Sequence, residues 1–198
     1  MVATNPWDKP GMAQSIDKYW ETSELEQEWY TILRGALKQY IVPGTLLEVG
    51  CGSGKVHEAL DPFIPYVGCD ISTEMLKLHQ QRFPQAFLKH MTELYKLPVN
   101  AGEDYDNVLC VSVLQHVEQP EPLIAEMAKA ARKRLIVVTW AHDKKTSLIR
   151  DAQGFCQNVY NNYAFMEMLM KPKLGTLAFN GRLYLNNYVY CVSYGRQQ

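Results

Sequence analysis

The chain is poor in the features that would assign it to several large classes of protein. Its longest unbroken hydrophobic run, Leu135 to Ala141, is far too short to span a bilayer. The stretch from Met1 to Gly11 has no apolar signal-peptide core, and contains Pro6 and Pro10 instead. The five cysteines, Cys51, Cys69, Cys110, Cys156 and Cys191, are odd in number and form no C-x-x-C or Cys/His pair at ligand spacing. Neither a disulfide framework nor a metal site is indicated, and a reduced, cytoplasmic setting is expected. An excess of either charge is also missing. The formal net charge is −1, so the electrostatic footprint of a nucleic-acid binder is absent. Lys129, Arg132, Lys133 and Arg134 cluster where a helix ends, a place where cations complement the helix dipole. There are no internal repeats and no low-complexity segments. With 198 residues, 47% of them apolar, one domain with a full core is expected over 1–198.

What is present is concentrated in Glu48-Val-Gly-Cys-Gly-Ser-Gly54. The apolar residues before it read as a buried strand, and Lys55 to Leu60 can wind as a helix until Asp61-Pro62 stops it. Gly50, Gly52 and Gly54 therefore fall on a strand-to-helix turn, where backbone without a Cβ lets a ligand lie close. A second strand, Tyr66 to Cys69, leads to Asp70, twenty positions after Gly50. A carboxylate at the tip of the neighbouring parallel strand suits a ribose bound across the turn. The spacing is G-x-G-x-G rather than the G-x-G-x-x-G of dinucleotide sites, and Glu48 would repel a diphosphate. A ligand carrying an ammonium and a sulfonium, as S-adenosyl-L-methionine does, fits better.

These segments resemble a known family. Leu46 to Gly54, Val67-Gly-Cys-Asp-Ile-Ser72 with Met75-Leu76, Leu97-Pro98 and Tyr105 to Val117 occur in family order and spacing. Over about 45–140 the chain is similar to the class I S-adenosylmethionine-dependent methyltransferases, in particular the small single-domain type that modifies quinones and other metabolites. The resemblance implies an α/β fold: a doubly wound, Rossmann-like, mostly parallel sheet with helices on both faces and an antiparallel C-terminal hairpin. It also implies methyl transfer that leaves S-adenosyl-L-homocysteine. The family often has an acidic residue after the third strand, near the adenine. Here that segment reads His90-Met-Thr-Glu-Leu94, so Thr92 or Glu93 is expected to fill the role, beside Leu94.

The remaining site expectations follow from strand ends. Asp70 should accept both ribose hydroxyls, and Glu48 should orient the methionine ammonium or brace the turn. Ile71 and Met75 suit an adenine face or the core. Cys110 and Val111 end the fourth strand and offer carbonyls to the ammonium, and Cys51 is a small packing residue of the cleft. His116 and His142 are candidate bases, against the plainer readings of a helix-packing and a loop histidine. His57, His79 and His90 receive no role.

Around this core the pattern predicts a capped helix from Ser23 and Glu26 to Pro43-Gly44, and a helix over Thr73–Arg82. It predicts strands at Ala86–Lys89, Asn107–Val111 and Leu135–Thr139, and a hairpin turn at Asn180-Gly181. Residues 1–22 read as an irregular arm, or as a lid carrying Tyr19 or Trp20. Residues 144–176 read as a substrate or cap segment, with Met166 to Met170, Tyr160 and Tyr163 lining an acceptor pocket or covering the sheet. The expected partner is a small-molecule methyl acceptor, not a nucleic acid or a membrane, with the protein a monomer or homodimer. Protein or RNA methylation, a non-catalytic cofactor-binding subunit and a nicotinamide oxidoreductase are the alternatives.

Overall fold

Short apolar runs alternating with amphipathic segments give this chain strands that pair in parallel and helices that return over them. The computed structural model describes residues 6–144, 146–150, 155–173 and 175–194. Its helices are α1 (Met12–Thr22), α2 (Glu24–Tyr40), α3 (Lys55–Ala59), α4 (Thr73–Arg82), α5 (Glu121–Ala130) and α6 (Asn162–Met170). The strands are β1 (Leu46–Val49), β2 (Tyr66–Asp70), β3 (Phe87–His90), β4 (Tyr105–Val111), β5 (Ala131–His142), β6 (Ser147–Arg150), β7 (Cys156–Asn161), β8 (Thr176–Tyr184) and β9 (Asn187–Ser193).

The parallel core has the order β3-β2-β1-β4-β5. β1 is flanked by β2 and β4, so the connections diverge on either side of it and a cleft opens beyond the strand ends. β9 lies antiparallel on β5 and β8 antiparallel on β9, as the resemblance implied. β5 runs well past the expected Leu135–Thr139, because β4 pairs one side of it and β9 the other. Its tip, Ala141 and His142, also takes β7 in parallel, and β6 pairs antiparallel with β7.

Each face of the sheet has its own helices. The stripe Trp29, Leu33 and Leu37 of α2, with Val56 of α3, buries against Leu46, Leu109, Ile136 and Val189. At about 1.5–3 kcal/mol per large apolar side chain, this stripe is a large part of what holds α2 on the sheet. On the other face, Leu123, Ile124 and Met127 of α5 and Phe165 and Leu169 of α6 cover Val108, Val137 and Tyr190. Met166, Met168 and Met170 pack around the same cluster. The Met-rich run therefore packs over the sheet, the second of the two roles expected for it, and Tyr163 of the same helix faces solvent.

Two other expectations are corrected. Asn180-Gly181 is no turn: both residues lie inside β8, opposite Tyr190 and Val189. The hairpin closes at Leu185-Asn186, where Leu185 takes the positive φ of 45° that such short turns need. From Pro6 on, the arm is not irregular either, since a 3-10 turn at Pro6–Asp8 leads into α1, eleven residues long; residues 1–5 of the arm lie outside the described residues. Among the described residues no helix is long and apolar enough to cross a membrane.

Candidate active site

The glycine turn is tied to the end of β2, where the N–H groups of Gly50 and Cys51 both donate to the Cys69 carbonyl at 2.7 and 3.0 Å. Its three glycines have positive φ of 75°, 51° and 89° for different reasons. A Cβ on Gly50 would meet Val113 Cγ2 at 2.2 Å, and one on Gly54 would meet His79 at 2.8 Å. At Gly52 the nearest neighbour is the Trp20 ring at 3.8 Å, so here the glycine keeps the backbone itself accessible from the cleft side.

Asp70 ends β2 beneath this turn. One carboxylate oxygen accepts from Gly52 N–H and the other from Ser72 N–H, each at 2.8 Å. Burial raises its pKa, and the N–H donors of Ser72, Gly52 and Ile71 oppose that. Each oxygen still has lone-pair capacity for a hydroxyl donor. Glu48 is spent differently. Its side chain is buried on the α2 face, accepts the Tyr66 hydroxyl at 2.7 Å, and is pushed up to about 8 by burial. The brace expected of it called for N–H donors from the glycine turn; its partner here is instead the Tyr66 hydroxyl. Burial likewise pushes up the thiols of Cys51, Cys69 and Cys110, leaving them protonated packing groups.

Met75 is buried in the first turn of α4, whose N-cap Ser72 accepts from Met75 N–H. The Ile71 carbonyl is held by His90 Nε2 at 3.1 Å. Past β3, Thr92 and Glu93 are exposed and Leu94 is half-buried; Glu93 pairs loosely with Lys96 at 3.8 Å. The β1–β4 ladder runs to Glu48 and Leu109, so β4 carries Cys110 and Val111 beyond it, next to the turn. The chain then swings away through Ser112, a non-glycine residue at φ 56°.

The two candidate bases part company here. His116, in a 3-10 turn after β4, hydrogen bonds through Nδ1 to the Cys156 carbonyl at 3.0 Å. A carbonyl only accepts, so Nδ1 carries the hydrogen and Nε2 is the basic nitrogen of the neutral ring. Trp7 and Trp140 pack edge-on to it, with centroids at 5.1 and 6.0 Å. His142 instead accepts Lys144 N–H at Nδ1 and caps its own turn.

The arm crosses from one side of the cleft to the other. Trp7 packs on His116 and on Phe155, while Asp8 accepts the Ser72 hydroxyl at 2.8 Å. The inward face of α1 is Ala13, Asp17 and Trp20, at helical spacing. Tyr19 lies off that face and is 55% exposed, so Trp20, not Tyr19, covers Gly52. Asp17 accepts the Ser53 hydroxyl at 2.5 Å and pairs with Arg82, while Glu21 pairs with Lys55. Burial would raise the Asp17 pKa, but the Arg82 and Ser53 hydrogen bonds outweigh it and hold it low. The sequence signal for Trp20 was the i, i+4, i+7 spacing of these inward residues. For Trp7 and Arg82 no local signal exists, whereas Ser72 stands just before the predicted helix at Thr73, where an N-cap is expected. A separate surface cavity of about 390 Å³ lies at the other end of β1, lined by residues such as Ile41, Pro43 and Phe63, and is remote from these groups.

Residues 47–138 match the family described as methyltransferase domain. The chain is 30% identical over 142 residues to a phosphatidylethanolamine N-methyltransferase of Cereibacter sphaeroides, covering 66% of this chain and 70% of that one. It is 32% identical over 137 residues to a ubiquinone biosynthesis O-methyltransferase of Hydrogenovibrio crunogenus, covering 66% of this chain but only 53% of that protein. Its fold is shared with magnesium protoporphyrin IX methyltransferase of Synechocystis PCC 6803, crystallised with S-adenosylhomocysteine. The TM-score is 0.73 at 17% identity, with 96% of each chain covered. The chain belongs to the class I S-adenosylmethionine-dependent methyltransferases.

Proposed function

We propose that this protein transfers a methyl group from S-adenosylmethionine to a small-molecule acceptor by in-line displacement, with the acceptor held beside His116 at the end of β4. The observation that carries the reading is Asp70. It is a carboxylate at the end of β2, hydrogen bonded to Gly52 of a glycine turn where a Cβ would meet nothing nearer than the Trp20 ring at 3.8 Å. The donor set suits the cofactor: Asp70 for ribose hydroxyls, Met75 and Ile71 for an apolar ring, and the β4 end at Cys110 and Val111 for an ammonium. When bound, S-adenosylmethionine supplies a methyl group already activated by its sulfonium charge.

The chain's own groups then have three tasks. The glycine turn and Asp70 fix the cofactor's position, which sets the line of attack. The arm, latched by Asp17 and Glu21 on one side and Trp7 on the other, excludes water. His116, oriented by the Cys156 carbonyl, accepts a proton from an acceptor hydroxyl or amine. The names of the similar proteins, covering a phospholipid headgroup, ubiquinone biosynthesis and a porphyrin, support a small-molecule acceptor. The neutral net charge of −1 does not favour RNA. Calorimetric titration with S-adenosylhomocysteine and with NADH tests the reading. Binding of the first and not the second is expected, and heat from NADH alone would refute it.

A further inference from the structure

The carbonyl side of the glycine turn is held by two residues of α4 to which the cofactor reading assigns nothing. His79 is fully buried, and its Nδ1 lies 3.2 Å from the Gly52 carbonyl while its ring packs beneath Gly54. One helical turn on, Arg82 Nη1 donates to the next carbonyl, that of Ser53, at 2.7 Å. Residues three apart share a helix face, so α4 presents both donors to successive carbonyls of one turn.

Hydrogen-bond logic fixes the rest. The Gly52 carbonyl can only accept, so His79 Nδ1 carries the hydrogen and His79 Nε2 accepts from His57 Nδ1 at 3.0 Å. The His57 ring stacks on Tyr66 at 3.8 Å and 10°, and Tyr66 donates to Glu48. A connected run of polar groups therefore underlies the turn. On its outer side, Arg82 also forms a two-nitrogen contact with Asp17 of α1 at 3.0–3.2 Å and meets Glu21 at 3.1 Å. Ser53 adds its hydroxyl to the same Asp17 oxygen that Arg82 uses.

We propose that His79 and Arg82 are positioning residues for the cofactor: they hold the Gly52 and Ser53 carbonyls and so keep the cleft side of the turn set for the ligand, and Arg82 makes docking of the arm and seating of the cofactor one coupled event. The inference rests on the S-adenosylmethionine reading above. Coupling of this kind is reciprocal, so the arm tightens the cofactor as much as the cofactor tightens the arm.

The test uses side chains that separate hydrogen bonding from packing. An asparagine at 79 keeps an N–H donor at the place of Nδ1, whereas leucine fills the space without one. Calorimetry with S-adenosylhomocysteine and ligand-free urea unfolding are measured on wild type, His79→Asn, His79→Leu, Arg82→Gln, Asp17→Asn and the Asp17→Asn/Arg82→Gln double variant. His79→Leu and Arg82→Gln are expected to weaken binding on the order of tenfold or more, and His79→Asn by no more than about threefold. The double variant should bind within about twofold of Arg82→Gln alone, because both changes cut one link. Wild-type affinity in Arg82→Gln, or equal losses in His79→Asn and His79→Leu, would overturn the proposal while leaving the cofactor reading intact. If His79→Leu does not fold, the Arg82 and Asp17 cycle decides alone. A wild-type protein that binds no S-adenosylhomocysteine would refute the cofactor reading itself, and this inference with it.

Discussion

Replacing Asp70 with alanine separates the fold's use of this carboxylate from the ligand's. In the folded chain it accepts two backbone N–H bonds, from Gly52 and Ser72. Truncation leaves both donors unpaired, at about 1–3 kcal/mol for each buried group. Two effects reduce that cost. The raised pKa of Asp70 means that burial already disfavours its charged form in the folded state, and the space vacated admits water. A loss of about 1–3 kcal/mol in ligand-free stability is expected. The cofactor loses more. Two hydroxyl-to-carboxylate bonds at about 1.5–3 kcal/mol each would weaken binding by about two to four orders of magnitude. Asparagine should be no better than alanine, because its amide must turn an N–H₂ toward either Gly52 N–H or Ser72 N–H. Calorimetry with S-adenosylhomocysteine and urea unfolding of the free protein measure the two effects independently. If affinity stayed within twofold of wild type in either variant, Asp70 would not be the ribose ligand and the case for the site would lose its main support.

Glu48 gives a prediction in pH. Its folded pKa is raised to about 8 from an ordinary 4.5, so the folded state binds the extra proton and this contribution is full below about pH 4.5 and is lost as pH rises toward 8. Glu48→Gln, which can still accept the Tyr66 hydroxyl, should remove that slope, worth up to about 4–5 kcal/mol; parallel stability curves for wild type and variant in urea at pH 5.5 and 8 would contradict it. Gly50→Ala should cost more stability than Gly52→Ala. Both have positive φ, at about 1–2 kcal/mol, but only the first drives a Cβ into Val113; equal unfolding midpoints would argue against it. Deleting residues 1–22 should speed S-adenosylhomocysteine dissociation about tenfold or more in stopped flow, with a smaller effect on stability. An unchanged dissociation rate would mean that the arm is not a lid.

The parts of the site legible in the sequence are those whose signal is local. A glycine turn between an apolar strand and a helix, and an acid at the next strand's tip, are set by neighbours in the chain, and both fall where the spacing put them. What was not legible depends on contacts between distant segments. Arg82 and Asp17 are far apart in sequence, as are His116 and Cys156, and nothing near either partner marks the pair. Asn180-Gly181 has the composition of a turn, but pairing along β9 holds it extended, and the real turn at Leu185-Asn186 carries no such mark. The methionines of α6 look like a ligand surface because a flexible apolar side chain serves a pocket and a core equally well. Only the position of the helix over the sheet distinguishes the two.

The groups gathered around His116 come from outside the stretch that identifies the family. Trp7 precedes residues 47–138, and Trp140, Phe155 and the Cys156 carbonyl follow them. The chain is thus divided in its obligations. One contiguous block, residues 47–138, carries the glycine turn, Asp70 and the end of β4. The flanks supply Trp7 and the strands beyond β5, and β7 is fixed to the block by its pairing with the tip of β5 and by Asn158 and Tyr160, which donate to the Val117 and Leu114 carbonyls. Tyr160 anchors this extension in the core, so any shift of β7 carries the Cys156 carbonyl with it and turns the ring of His116, which makes the orientation of that histidine depend on chain outside the family block.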